Sequence, residues 1–208
     1  MVTSRPAVFI DRDGTLTDEV GYVNHPSRLR LLPRSAQAIR RLNDAGVPAV
    51  VVTNQAGIAR GYFSKDVLDA VNEALVAQLA GAGARLDGIF VCPHHPSEGA
   101  PPYRARCECR KPRPGLLRRA AEELGLDLAR STMIGDKPSD LVPGRDVGAA
   151  VVLVLTGYGR GEWEYRRDRF EVKPDHVADD LLDAVEWALD GSASRSRGRG
   201  EPVIRGIA

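Results

Sequence analysis

Asp11-Arg12-Asp13-Gly14-Thr15 directly follows the apolar run Ala7-Val8-Phe9-Ile10. A short apolar run that ends at turn residues predicts a buried strand over Val8–Ile10. Two carboxylates two residues apart, just past the strand end, then converge on one small space. Gly14 lets the chain turn sharply there. A hard cation takes oxygen ligands and can bridge a carboxylate to a phosphoryl group, so the pair suits magnesium and a phosphate. The same spacing sets a nucleophile beside an acid. The alternative is an ordinary Asp-Gly turn, and the remaining chain decides between the two.

Outward from this stretch, apolar runs alternate with helical patterns, which predicts βαβ units and a parallel sheet. Ser35 to Ala45 has helical spacing, with Ala38, Ile39 and Leu42 on one face and Gly46 ending it. Val47 to Val52 is the second strand and leads into Thr53-Asn54-Gln55. Ser64 caps a helix to Leu79, with Val67, Leu68, Val71, Leu75 and Leu79 as its buried stripe. Gly88–Val91 is the third strand. Leu116–Leu124 is a helix stopped by Gly125. Thr132–Ile134 is the fourth strand, ending at Gly135-Asp136, and Val151–Leu155 is the fifth. A closing helix runs from Asp179 to Leu189, with Leu181, Leu182, Val185 and Leu189 facing inward. These elements predict one α/β domain over residues 1–190. From Gly191 to Ala208 the chain turns polar, basic and glycine-rich, which predicts a disordered tail. A basic patch for an acidic partner is the alternative there.

A chain of 208 residues can build one well-cored domain. Its net charge of +1 argues against a nucleic-acid binder. No apolar run approaches the ~20 residues that span a bilayer. The N-terminus lacks a charged segment followed by a long apolar one, so a cytoplasmic location is expected. There are three cysteines, Cys92, Cys107 and Cys109. An odd count argues against a disulfide framework.

Further motifs sit at predicted strand ends or in loops before helices, the edge where open parallel sheets bind ligands. Thr53-Asn54-Gln55 can donate hydrogen bonds to phosphate oxygens, although such a triplet is often only a turn or cap. Arg110-Lys111-Pro112 offers cations in a loop, where a lysine is ordinarily solvated. Gly135-Asp136-Lys137-Pro138-Ser139-Asp140 can supply a second carboxylate to a metal, and Ser139 or Asp140 could equally cap a helix. Cys92-Pro93-His94 and Cys107-Glu108-Cys109 bring three sulfurs and an imidazole in C-x-H and C-x-C spacing, which suits tetrahedral zinc. Four protein ligands leave no open position, so that zinc is expected to be structural. The segment from Cys92 to Pro114 has no periodicity, which predicts a functional loop. His95 is left over, as a solvent-exposed residue or a substrate contact.

Acids, a hydroxyl, a lysine and further acids in this order resemble the four motifs of the haloacid dehalogenase (HAD) superfamily of phosphatases, over nearly the whole chain to about residue 160. The resemblance implies a Rossmann-like three-layer α/β sandwich, with the parallel sheet in the order three-two-one-four-five and a minimal cap. It implies Asp11 as the nucleophile that becomes an aspartyl-phosphate, and Asp13 as the acid that then activates water. It implies a magnesium ion held by the Asp11 carboxylate, the Asp13 carbonyl and Asp136. Thr53 and Lys111 would bind the transferring oxygens, and Asp140 would orient a metal water or Lys137.

The cysteine loop resembles the small, capless branch, which includes sugar-bisphosphate and histidinol-phosphate phosphatases. Gly21-Tyr22-Val23, Asn54 to Phe63, Cys92-Pro93-His94-His95-Pro96 and Gly135-Asp136-Lys137 are closer to the sugar-bisphosphate enzymes. Hydrolysis of the C7 phosphate of a heptose 1,7-bisphosphate is the activity this implies, by a monomer that needs no membrane or nucleic acid. Arg60, Arg110 and Lys137 would form a cationic rim for the distal phosphate, though Arg60 by itself reads first as a surface residue. Histidinol phosphate is the rival substrate. A polynucleotide-end phosphatase and a catalytically silent zinc-bearing interaction module are more distant alternatives. One departure from the family pattern is Leu141-Val142-Pro143-Gly144-Arg145, where the family runs a helix and Gly144 weakens one by roughly 1 kcal/mol relative to Ala.

Overall fold

A computed structural model describes residues 4–197, with side chains as far as Gly191. β1 (Val8–Ile10) lies inside a single six-stranded sheet. On one side of it follow β2 (Ala49–Asn54) and β3 (Gly88–Cys92). On the other follow β4 (Thr132–Gly135), β5 (Ala150–Val154) and β6 (His176–Ala178). Every neighbouring pair is parallel, and Phe9 registers with Val50 on one side and Met133 on the other. The expected order is present, with β6 added beyond β5.

Period-two alternation sends the two faces of each strand into separate cores. Val8, Ile10, Ala49, Val51, Val152 and Val154 pack in one core with residues of α1 (Ser35–Asp44), α2 (Lys65–Gly81) and α6 (Leu181–Arg197). Phe9, Val50, Val52, Met133, Val151 and Leu153 pack in the other with α3 (Gly115–Leu124) and α4 (Pro138–Asp146). Helices therefore cover both faces, as a parallel sheet requires. The direction in which strands are added to the sheet reverses between β1 and β4. From β1 the chain builds outward to β3, then returns to lay β4 against β1. The crevice this leaves at the strands' carboxyl ends is where such sheets bind ligands.

Several boundaries differ from the sequence reading. β2 starts at Ala49 instead of Val47, because Pro48 has no N–H to offer and contributes only its carbonyl, which accepts from Val8 N. α6 starts at Leu181, since Asp180 Oδ1 accepts from the N–H groups of Leu182 and Asp183 and so caps it. It runs past Gly191, where the tail was expected to begin, to Arg197. The rest of that expected tail lies outside the described residues. α5 (Gly159–Arg166) and β6 had no sequence signal: the first is charged and mostly exposed, the second is three residues long.

α4 forms despite Pro143 and Gly144. Pro138 opens it, where the missing N–H costs no helical bond. Gly144 is needed for packing: a Cβ there would come within 2.7 Å of Val151 Cγ1 and 2.8 Å of Met133 Cβ. The absent side chain lets the helix approach β4 and β5. Gly144→Ala should therefore destabilise the protein by about 1–3 kcal/mol, even though alanine is the better helix former. Urea denaturation of the two proteins measures this, and an increase in stability would contradict the packing argument.

Candidate active site

Asp11 and Asp136 are the first residues beyond β1 and β4, on either side of the switch point. Asp11 N donates to Ile134 O at 3.0 Å, tying the two strand ends together. Asp140 joins them from the first turn of α4, and one carboxylate oxygen from each of the three residues lies within 4.8 Å of the others. All three are buried. Such crowding needs bare backbone around it. A Cβ on Gly14 would meet Asp136 Oδ2 at 2.3 Å, and one on Gly157 would meet the same atom at 2.4 Å. Both glycines also have positive φ, +89° and +54°. A Cβ on Gly135 would strike Asp140 Cβ at 2.3 Å. Thr156 Oγ1 closes the floor by donating to Gly14 O at 2.7 Å. Asp136 Oδ2 accepts from Tyr158 N, but Asp136 Oδ1 is buried with no protein partner. A buried carboxylate oxygen left so, beside two further carboxylates, fits a hard divalent cation.

Lys111 supplies the opposite charge. Its Nζ lies 2.7 Å from Asp11 Oδ1 and 2.7 Å from Asp140 Oδ1, and donates to Val52 O at 2.9 Å. The family resemblance implied that Asp140 orients a metal water or Lys137. The structure gives its carboxylate to the Lys111 ammonium and to the backbone N–H of Lys137. Asn54 locks the Lys111 backbone: Nδ2 donates to Lys111 O at 3.0 Å, and Oδ1 accepts from Lys111 N at 3.1 Å. Asn54 thus binds the lysine loop through both ends of its amide. Gln55 Nε2 likewise donates to Asp13 Oδ2 at 2.7 Å and Thr53 Oγ1 at 2.9 Å. Asp13 is held further by Arg12, whose Nε and Nη2 donate to its two oxygens at 3.0 and 2.9 Å.

Burial governs the electrostatics. It raises Asp11 to about 6, with Lys111 pulling the other way and Asp140 adding to the rise. It raises Asp136 to about 8, assisted by the charges of Asp140 and Asp11. Burial alone would lower Lys111, but Asp11 and Asp140 outweigh it and hold the ammonium charged above the ordinary lysine range. Carboxyls raised in this way, Asp136 above neutral pH, are short of positive charge, which a dication would supply.

Above this floor opens a cleft of about 360 Å³, lined by Asp11, Asp13, Thr53, Lys111 and Asp140 below and by Glu19, Tyr22, Arg110, Lys137 and Tyr158 around the rim. Lys137 Nζ pairs with Glu19 at 2.9 Å and sits 4.4 Å from the Tyr158 ring centroid. Arg110 donates to His94 O. Arg60 does not line the cleft. It pairs with Glu98 and reaches His95 Nε2 at 3.1 Å, clipping its own loop to the cysteine loop. His95 is consequently part of that clip and mostly covered, with Nδ1 accepting from the N–H of Glu98. Glu19 and Tyr158 were missed by sequence reasoning, since neither stands in a motif and only the fold brings them to one rim.

Cys92, at the end of β3, meets His94, Cys107 and Cys109 in a second cluster. The Sγ–Sγ separations are 3.6 Å for Cys92–Cys107 and 3.3 Å for Cys107–Cys109, and His94 Nδ1 lies 3.3 Å from Cys109 Sγ and 3.7 Å from Cys92 Sγ. A tetrahedron built on metal–sulfur bonds of about 2.3 Å has edges of about 3.8 Å, so the four can hold a metal. The Cys109 thiol is lowered to about 5, first by its contact with Cys92, while Cys92 is pushed up by the same contact and by burial. Lys111 follows two residues after Cys109, so the cluster fixes the approach of that lysine to Asp11.

The parallel sheet, the carboxylates at its switch point and the buried lysine define a HAD-like hydrolase, and the model of the HAD-hydrolase-like family matches residues 108–184. The chain is 43% identical over 199 residues to the D-glycero-D-manno-heptose-1,7-bisphosphate 7-phosphatase of Thermosynechococcus vestitus, covering 92% of this chain and 99% of that one. It is 42% identical over 195 residues to the D-glycero-beta-D-manno-heptose-1,7-bisphosphate 7-phosphatase of Escherichia coli strain K12, covering 93% of each. Among solved structures, the D,D-heptose 1,7-bisphosphate phosphatase of B. bronchiseptica complexed with magnesium and phosphate superposes with a TM-score of 0.78 at 35% identity, covering 89% of this chain and 99% of that one. The chain belongs to the D-glycero-D-manno-heptose-1,7-bisphosphate 7-phosphatase family.

The raised carboxylates make the metal-free protein sensitive to pH. Asp136 ionises near 3.8 in the unfolded chain and near 8 in the fold. Its contribution to stability is complete below the lower value and is lost as pH rises through the upper one. In chelator, the melting temperature should fall between pH 5 and pH 9, and Asp136→Asn should flatten that fall. Thermal melts across this range check it; a wild-type protein that gains stability toward pH 9 in chelator would contradict the sign.

Proposed function

We propose that this chain is a magnesium-dependent phosphatase that removes the C7 phosphate of D-glycero-D-manno-heptose 1,7-bisphosphate and releases heptose 1-phosphate. The observation that carries the chemistry is the unpartnered Asp136 Oδ1 beside Asp11, whose own carboxylate is gripped by Lys111. The names of relatives that cover more than nine-tenths of the chain support the substrate.

Asp11 and Asp136, with the main-chain carbonyl of Asp13, would hold Mg²⁺. When bound, the ion offsets the repulsion between an anionic carboxylate and an anionic phosphate, about 4 kcal/mol for unit charges ~4 Å apart at an effective dielectric near 20. An Asp11 oxygen attacks phosphorus in line as the bond to the C7 oxygen breaks. Asp13 gives its proton to that departing oxygen. The ionised Asp13 then takes a proton from water, whose oxygen bonds to phosphorus as the Asp11–phosphorus bond breaks. Inorganic phosphate leaves and Asp11 returns to a carboxylate. Lys111 Nζ and Thr53 Oγ1 donate to the transferring oxygens, where one preorganised donor is worth roughly 3 kcal/mol in the transition state. Gln55 and Asn54 hold Thr53, Asp13 and Lys111 in place and leave the phosphate to them. Arg110 and Lys137 receive the distal phosphate at the rim.

Cys92, His94, Cys107 and Cys109 would hold Zn²⁺ as a structural ion, because all four positions are filled by protein. Unpaired thiols assembled for a metal fit a reducing compartment, and the reaction is assigned to the cytoplasm. Every group used comes from one chain, so a monomer suffices.

Release of inorganic phosphate from both anomers of heptose 1,7-bisphosphate should exceed release from histidinol phosphate at equal concentration, and the reverse preference would overturn the substrate assignment. Asp11→Asn should abolish turnover, since an amide neither attacks phosphorus nor binds magnesium well. Purified wild-type protein should contain one zinc per chain by elemental analysis. Cys107→Ser should lose it and melt at lower temperature; a metal-free wild type of full activity would refute the role given to this cluster.

A further inference from the structure

Arg12 touches none of the reacting atoms, yet it is the largest of the fully buried side chains. A guanidinium removed from water costs several kcal/mol unless it is paired in good geometry. Its pairing here is directed at one group. Nε and Nη2 meet the two oxygens of Asp13 as a parallel fork, at 3.0 and 2.9 Å. The third nitrogen, Nη1, donates to Asn72 Oδ1 at 3.1 Å, on the middle of α2. The fork is thus tethered from behind to a seventeen-residue helix packed on the sheet.

A bidentate guanidinium fixes the plane of a carboxylate as well as its position. Asp13 needs this. It stands before Gly14, on a tight turn at the edge of the cleft, and its side chain is still 17% exposed. Gln55 Nε2 reaches Asp13 Oδ2 and Thr53 Oγ1 together, so the same frame also sets the Thr53 hydroxyl. An acid works only within hydrogen-bond reach of the atom it protonates, and a freely turning carboxylate spends much of its time elsewhere.

We infer that Arg12, anchored on Asn72 of α2, is a positioning residue that holds the Asp13 carboxylate where it can protonate the departing alkoxide. The inference rests on the acid–base role given to Asp13 above. It assigns the α2 face behind the site a part in the chemistry, although no atom of that helix lines the cleft.

The test uses kcat/KM, which reports steps through formation of the phosphorylated Asp11, on two substrates. Heptose 1,7-bisphosphate has a basic alkoxide leaving group that needs a proton. The leaving group of p-nitrophenyl phosphate departs as a stable anion and does not. Asp13→Asn, the reference, should lower kcat/KM by about 100-fold or more for the sugar and by less than about tenfold for the aryl ester. Arg12→Lys keeps a charge but loses the fork, and should lower the sugar-to-aryl ratio by about tenfold. Asn72→Ala removes only the tether, from a half-buried helix position, and should lower that ratio by about threefold, the scale of one hydrogen bond. If Arg12→Lys does not fold, Asn72→Ala carries the test alone. Equal losses on both substrates, or an unchanged ratio in the folded variants, would overturn the inference while leaving Asp13 as the acid. If Asp13→Asn itself shows no selectivity, the acid–base reading fails, and the inference with it.

Discussion

One ammonium group ties this molecule together. Lys111 Nζ is buried among Asp11, Asp140 and the carbonyl of Val52. It links the loop after β3 to the ends of β1 and β2 and to the first turn of α4. Three buried carboxylates in one place would repel each other strongly, and a buried ion pair stripped of one partner loses about 3–5 kcal/mol. The lysine offsets part of that repulsion. What remains of the negative charge, registered in the raised values of Asp11 and Asp136, is the charge a divalent cation can neutralise.

The cysteine cluster acts at one remove. A loop from Pro93 to Pro114 has little secondary structure to hold it. The four sulfur and nitrogen atoms gather its two ends, Asn54 clasps the Lys111 backbone, and the Arg60–Glu98 pair with His95 joins the loop to its neighbour. Gly99 sits so close to Ala59 O that a Cβ would fall 1.9 Å from it. These three attachments, with the close approach of Gly99, give an irregular segment the definition that a helix would get from its own hydrogen bonds, which is the condition for a loop to present a lysine accurately.

Among the described residues, five of the six strands and four of the six helices were legible in the sequence, because buried parallel strands are continuous apolar runs and the helices carry an apolar stripe. α4 was obscured by Pro143 and Gly144, whose local cost is outweighed by close packing on β4 and β5. α5 begins Gly-Arg-Gly-Glu and buries too little to show a period. In the site, Asp11, Asp136 and Lys111 could be read from the order of their motifs. The partners of Asn54, Gln55 and Arg60 could not, since hydrogen bonds made across 35 to 57 residues of chain leave no trace in local spacing. Arg12 was invisible for a different reason. An arginine beside two aspartates reads as surface, and only the fold reveals that its charge is enclosed.

Gly14, Gly135 and Gly157 leave no space for even a methyl group around Asp136 and Asp140. The reacting end of the cleft is therefore a fixed chassis, made of glycine main chain packed against the carboxylate side chains, and its shape leaves no room for larger residues at these glycines. Freedom to accept a differently built phosphate ester resides in the opening, at Glu19, Tyr22, Arg110, Lys137 and Tyr158, which come from four loops, after β1, β3, β4 and β5, and can be exchanged piecemeal. Redesign for a new substrate belongs at those five positions, with the chemistry below carried over unaltered.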